Sequence, residues 1–233
     1  MIRASLESLA NRFYLNDGVL LIDKPAGMTS FGVVARVRRI LSTQQGKKVK
    51  VGHTGTLDPF ATGLMIIVVG KECKNAGSYS KLDKVYEATI RLGQTSTTGD
   101  PEGEIADVSG LIPAQKEIQD ILSKFTGEIT QRPPIYSAIK INGERAYKLA
   151  RAGKQVEMPE RKITIYSLEL VDYKYPELQI RVHVSSGTYI RTLAEDIGNI
   201  LGVGAYCTQL RRVSIGEWNI DQSQTLKDLG IKD

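Results

Sequence analysis

The stretch "GHTGTLDPFATG", Gly52 to Gly63, decides how this chain is read. Three glycines and a proline within it exclude a continuous helix or a central strand and predict a tight loop. The loop carries one carboxylate, Asp58, and one of the chain's two histidines, His53. Directly after it, "LMIIVVG" is an apolar, β-branched run that fits a buried strand. Before it, "GVLLIDKPAG" (Gly18–Gly27) reads as a short strand ending in a proline and glycine turn. "TSFGVVARVRRIL" reads as a helix with Thr29 or Ser30 as its N-cap and Phe31, Val34, Val37 or Arg38, and Leu41 at helical spacing. An acid is thus expected on a rigid loop that leads into a buried strand.

Further along, "KVYEATIRLG" (Lys84–Gly93) alternates like a strand, and "TSTTGDPEGEI" is a polar turn region. "IPAQKEIQDILSKFTG" predicts a helix with Pro113 in its first turn and Gly127 after its end. "EITQRPPIYSAIKING" is extended and broken by Pro133 and Pro134, and "ERAYKLARAG" is a short helix. "RKITIYSLELVDYKY" and "LQIRVHVSS" are alternating strands expected to pair across "PE". "YIRTLAEDIGNILG" carries Ile190, Leu193, Ala194, Ile197 and Leu201 as one apolar helical stripe. Short strands around "YCTQLRRVSIGEW" follow. Strands come both in hairpin succession and separated by helices. The expected fold class is therefore α+β, a mixed, largely antiparallel sheet flanked by helices, in one domain of catalytic size.

The 233 residues, 41% hydrophobic and 24% charged, are ordinary for a globular protein with a continuous core. No apolar run approaches the roughly 20 residues of a membrane span. "MIRASLESLANRFYLNDG" lacks the apolar core of a secretory signal, so a cytoplasmic location with no membrane partner is expected. Cys73 and Cys207 lie far apart without CxxC spacing, and the histidines are His53 and His183 alone, so neither a disulfide framework nor a metal centre is expected. Net charge is +5 and the pI is about 9.1. "RVRRILSTQQGKKVK" (Arg36–Lys50) has six basic residues and no acid; "KINGERAYKLARAGK" (Lys140–Lys154) has five with one acid, Glu144. Both point towards a polyanionic partner, nucleic acid above all.

Several chemistries fail on the residues themselves. There is no GxxxxGK[ST], and no GxGxxG follows a strand and opens a helix. "HTGTLD" resembles the aspartyl-phosphate loop DKTGT in wording only, because Gly52 stands where that nucleophile would be. A Ser–His–Asp triad needs a histidine base, and His183 reads as an exposed strand residue on the face of Gln179, Arg181 and Ser185. A glycosidase needs two carboxylates, and the loop offers one.

What remains is a lone aspartate assisted from a distance, and at this point the pattern is one already known. "GHTGTLDPFATGLMIIVVGKECK" resembles the signature of the TruB family of pseudouridine synthases, which isomerise uridine in the T-loop of tRNA. "GVLLIDKPAGMTS", "DKVYEATIRLGQTSTTGDPEGEI", "RPPIYSAIKINGERAYKLARAG" and "SSGTYIRTLAEDIGNILGVGAYCTQLRR" are similar to further family segments, in order, from roughly Asp17 to Gly216.

The resemblance implies the pseudouridine synthase fold, with no cofactor and no metal. It implies Asp58 as the nucleophile and Arg191 as the arginine that pairs with the catalytic acid and opposes its protonation. Tyr86 matches the tyrosine that stacks on the target base, with Val85 and Glu87 turned to the other sheet face. Tyr189 and Leu210 match residues lining the uracil pocket, His53 a residue near the extruded nucleotide, and Lys24 and Pro25 a segment supporting the catalytic loop. Residues 134–161 correspond to a thumb-like insertion that closes over the RNA, where Lys140, Arg145, Lys148, Arg151 and Lys154 are expected to meet phosphates. The implied partner is the T-arm stem-loop of tRNA, bound by a monomer without a protein partner. Residues 1–16 are an N-terminal extension. The chain stops at "TLKDLGIKD", short of the PUA-type domain usual in the family, so a weaker grip on the acceptor end is expected. Two alternatives stay open: a guide-dependent ribosomal RNA enzyme of the same superfamily, and a non-catalytic chaperone that folds tRNA.

Overall fold

The computed structural model describes residues 15–231, so residues 1–14 of the expected extension lie outside the described residues. The chain divides into two compact units, one of residues up to Leu82 and from Arg212 onward, the other of Asp83–Arg211.

The first unit opens with β1 (Gly18–Lys24), α1 (Ser30–Gln45), β2 (Val51–His53), β3 (Thr62–Val69) and the short α2 (Ala76–Ser80). Strand β1 runs antiparallel to β3 from Gly18 opposite Val69 to Lys24 opposite Gly63. Strand β2 pairs with β3 at Val51–Val69 and His53–Ile67. Thr29 caps α1, its hydroxyl accepting from the Gly32 N–H, and Gly46 ends the helix in the left-handed conformation.

Helix α1 buries Ser30, Val33, Val34, Val37 and Leu41. Phe31, expected on the buried stripe, is 63% exposed, with the Arg38 guanidinium 5.8 Å from its ring centroid. The rows Val33–Val37–Leu41 and Ser30–Val34, four residues apart, set the inward face, which leaves Phe31 on the flank. Strand β3 is buried on both faces apart from its first residue, as its unbroken apolar run requires.

The second unit contains β4 (Lys84–Leu92), β5 (Gln94–Ser96), β6 (Ile105–Asp107), α3 (Gln115–Ser123), β7 (Gly127–Gln131), β8 (Lys140–Ile141), β9 (Glu144–Arg145), α4 (Ala146–Arg151), β10 (Arg161–Lys174), β11 (Glu177–Val184) and α5 (Ile190–Ile200). Its sheet runs β4–β11–β10–β7, antiparallel at each of these pairings. The β10–β11 strands pair as the sequence suggested, but the turn falls at Tyr175–Pro176, one residue before the expected "PE", with Glu177 already opposite Lys174. Pro113 lies outside α3, whose N-cap is Ala114, and the helix tightens through Lys124, Phe125 and Thr126 before Gly127 opens β7.

Strand β12 (Ala205–Ile215) crosses from the second unit into the first, followed by β13 (Trp218–Asn219) and β14 (Gln224–Thr225). The sequence suggested short strands here. One long strand forms instead, because its polar residues do not interrupt it: Thr208 donates to the Thr89 carbonyl at 3.0 Å, and Arg212 is buried and bonded. Strand β14 lies parallel to β1, which makes the architecture mixed and largely antiparallel, as expected. Among the described residues no helix is long and apolar enough to cross a membrane.

Candidate functional site

In the first unit the expected loop proves shorter than the glycine pattern implied. Gly52 and His53 complete β2, and Thr62 and Gly63 begin β3, leaving residues 54–61 between the strands. Only glycine fits at Gly63, the second residue of β3: its φ is +106° and its position against the Arg212 backbone leaves no room for a Cβ atom.

The loop is tied at several points. The Ser30 hydroxyl donates to the Leu57 carbonyl at 2.9 Å and accepts from the Leu57 N–H at 2.8 Å, one residue before Asp58. The Ala61 N–H donates to the Asp58 carbonyl at 3.2 Å, closing a turn around Pro59. The Pro59 carbonyl accepts from the Gly27 N–H at 2.8 Å and from Lys24 Nζ at 3.2 Å. Lys24 is fully buried and also donates to the carbonyls of Pro25 and Met28, at 2.8 and 2.7 Å. A buried ammonium without acceptors is costly; here three carbonyls receive it, and the charge locks "DKPAG" to the acid's loop.

Arg212 closes the other side. It is 1% exposed, with Nε donating to the Leu64 carbonyl at 2.7 Å and a terminal nitrogen donating to Gly55 at 3.3 Å. Asp58, half-buried, therefore sits in a segment held on both flanks by buried cations. Lys24, Pro25, His53 and Asp58 share this unit; the other candidate residues belong to the second.

There Tyr86 is buried on β4, opposite Val182 of β11, while Glu87 faces outward to Arg181 at 2.6 Å. Leu210 is buried on β12. Tyr189 is the N-cap of α5 and Arg191 lies in that helix's first turn. The Arg191 guanidinium is built in from three directions. One terminal nitrogen donates to the Thr98 carbonyl at 2.7 Å and to Asp100 Oδ2 at 3.1 Å; the other donates to the Tyr136 carbonyl at 2.9 Å. The side chains of Arg191 and Asp100 are 4% and 5% exposed.

Asp100 is itself fixed, its Oδ1 accepting from the Thr98 hydroxyl at 2.5 Å and the Glu102 N–H at 3.0 Å. The turn closes on Gly99, whose φ of +71° is strained for any residue with a side chain and whose Cα faces the Glu195 carboxylate. Burial pushes the Glu195 carboxyl above its ordinary range; Arg191 pulls it back, and Asp196 and Asp100 push it further up. Burial also raises Asp196.

Lys140, Arg145, Lys148, Arg151 and Lys154 all stand exposed on the insertion, on and around β8, β9 and α4. Three further residues were not singled out in the sequence, Asp100, Gln131 and Arg212, while Ser30, read there only as a possible N-cap, bonds the Leu57 backbone instead. Gln131 and Arg212 are buried among backbone groups distant in sequence, which no local pattern marks, and Asp100 is buried against the distant Arg191 side chain. Asp100 alone had a signal, as the one aspartate in a turn of threonines and glycine, "TSTTGDPEG".

The chain matches the family model described as TruB family pseudouridylate synthase (N terminal domain) over residues 38–190. The model described as tRNA pseudouridylate synthase B C-terminal domain matches residues 191–231. The chain is 45% identical over 219 residues to the tRNA pseudouridine synthase B of Burkholderia lata, an alignment covering 94% of this chain and 66% of that one. Identity is 46% with the protein of that name from Aromatoleum aromaticum, covering 91% and 68% of the two chains. With that from Clostridium kluyveri it is 47%, covering 91% and 72%. The chain thus spans about two thirds of the length of the curated relatives it matches. Among solved structures it resembles a chain of a Cbf5–Nop10–Gar1 complex, with a TM-score of 0.70, 30% identity, and 94% and 54% of the two chains covered. A chain of an H/ACA RNP bound to a substrate RNA containing 2′-deoxyuridine gives a TM-score of 0.66 and 26% identity, covering 96% and 58%.

Proposed function

Because this chain belongs to the TruB family of pseudouridine synthases, we propose that it isomerises uridine to pseudouridine at position 55, in the T-loop of tRNA. The observation that carries the reading is 45–47% identity, over more than nine tenths of this chain, to proteins named tRNA pseudouridine synthase B. Likeness to the chains of the Cbf5–Nop10–Gar1 complex and the H/ACA RNP is lower, at 30% and 26% identity, which favours the tRNA enzyme over the guide-dependent alternative.

The reaction breaks the N1–C1′ bond, turns the uracil, and forms C5–C1′; C5 loses its proton and N1 gains one. Atoms balance without a redox partner. The target base must leave its stack, at a cost of a few kcal/mol. Asp58 is the nucleophile of this scheme, an acid on a loop too firmly held to swing away. Arg191 supplies the positive charge that keeps the catalytic acid ionised when the flipped base excludes water. Tyr86 stacks on the uracil, Tyr189 and Leu210 line its pocket, and His53 occupies the space vacated by the extruded nucleotide. Lys24 and Pro25 support the loop. The residues from 17 onward form the catalytic region, with a thumb-like insertion at about 134–161. Its exposed cations meet phosphates and set orientation without reading bases. The enzyme acts in the cytoplasm as a monomer.

The test is to incubate the purified chain with an unmodified T-arm stem-loop and with full tRNA, and to map pseudouridine, using Asp58→Ala as control. Conversion at the single T-loop uridine by wild type alone is expected. Conversion by the variant, or none by wild type on full tRNA, overturns the reading; RNA refolding without isomerisation would leave the chaperone.

A further inference from the structure

The insertion leaves the sheet at Gln131 and returns at Arg161, and these two residues are paired across β7 and β10. Gln131 is therefore the root of the RNA-facing segment. Its side chain turns inward: the residue is 2% exposed. The carboxamide nitrogen donates to the Tyr189 carbonyl at 2.9 Å, and the carboxamide oxygen accepts from the Tyr189 N–H at 2.8 Å. The partners fix the amide's orientation, since a backbone N–H only donates and a carbonyl only accepts.

Tyr189 needs such a partner. It is the N-cap of α5 and its side chain makes no cap, while its carbonyl also accepts the helix's first bond, from the Leu193 N–H at 3.1 Å. Two more bonds join the same segments. Arg191 donates to the Tyr136 carbonyl at 2.9 Å and the Thr192 hydroxyl to the Arg132 carbonyl at 3.5 Å. The first residues of the insertion thus grip the first turn of the helix that bears Arg191, and Gln131 supplies the two-bond clamp.

We propose that Gln131 is a positioning residue for the reaction, holding the pocket tyrosine and the catalytic arginine in register with the root of the RNA-binding insertion. The inference rests on the function proposed above. Only a side chain with a donor and an acceptor on one planar group meets both demands of Tyr189, and asparagine is one methylene short. Methionine fills the volume and makes neither bond. Glutamate offers a second acceptor where the carbonyl requires a donor. A displacement near 1 Å at α5 is enough to cost on the order of 100-fold in rate. RNA affinity, which resides in the exposed cations of the insertion, should be untouched.

The experiment compares wild type, Gln131→Met and Gln131→Glu on the T-arm stem-loop. Single-turnover rates at saturating RNA are measured below each variant's unfolding midpoint, and affinity is measured by fluorescence anisotropy. The expected result is a rate lowered at least about tenfold in each folded variant, with the dissociation constant unchanged. Gln131→Met carries the test alone if the buried charge of Gln131→Glu prevents folding. Wild-type rates in the folded variants overturn the proposal, as does a loss confined to affinity. Failure of both variants to fold also overturns it, since Gln131 would then serve the fold. No conversion by wild type sinks the enzymatic reading and this inference together, whereas active wild type with unimpaired variants sinks this inference alone.

Discussion

Asp100→Asn exchanges one oxygen for an NH2 group and nothing else. Oδ1 still accepts from the Thr98 hydroxyl and the Glu102 N–H, so the turn keeps its shape. The change falls on the other atom: an N–H donor then faces the Arg191 guanidinium at the 3.1 Å separation where a charged acceptor stood. Both side chains are at least 95% buried, so solvent cannot replace the lost partner. Breaking one half of a buried ion pair typically costs about 3–5 kcal/mol. The Thr98 and Tyr136 carbonyls still receive Arg191, which places the expected loss at the lower end, about 3 kcal/mol. For a chain of this size that is a fall of about 6–12 °C in Tm. Arg191 should also leave its position by enough to slow the reaction about 100-fold. Thermal unfolding followed by circular dichroism reads the first quantity, and single-turnover pseudouridine formation reads the second. A variant with wild-type Tm and wild-type rate would refute the reasoning, because the pair would then contribute neither rigidity nor placement.

Replacing Lys140, Lys148 and Lys154 with glutamine should flatten the dependence of log affinity on log salt by about 2, at roughly 0.7 per phosphate contact on unpaired strands. An unchanged slope in a binding titration would remove these residues from the RNA interface. Glu195→Gln should raise Tm at neutral pH. The folded state holds the Glu195 proton more tightly than the unfolded state, so ionising it lowers stability as pH rises above the ordinary carboxylate range. The advantage of the variant should shrink as pH falls from the raised folded value towards the ordinary carboxylate range, and a pH-independent difference in Tm would contradict the assignment.

The loop bearing Asp58 was legible because glycine and proline punctuate it and the flanking apolar runs announce buried strands. The β10–β11 hairpin and α5 were legible from alternation, which β10 keeps despite two register shifts against β11, and from one uninterrupted stripe. Phe31 misled, since spacing alone does not say where an apolar face ends. Arg191 carried no local signal at all and stood out only by resemblance to a family. Its partner Asp100 is 91 residues away, Gln131 and Tyr189 are 58 apart, and Arg212 and Leu64 are 148 apart. A buried polar residue acquires its meaning from acceptors that the fold brings to it, and periodicity cannot register them. The same physics explains why β12 is longer than its polar residues suggested: a buried arginine with carbonyl acceptors sits in a strand without breaking it.

Whether the loop-held acid performs the bond cleavage is tested most directly by Asp58→Asn, which keeps the size of the side chain and removes its charge. Binding of the T-arm stem-loop and single-turnover pseudouridine formation are measured on the same preparation. Retained binding with no pseudouridine above background is the expected result. Conversion by Asp58→Asn at a rate comparable to wild type would contradict the account.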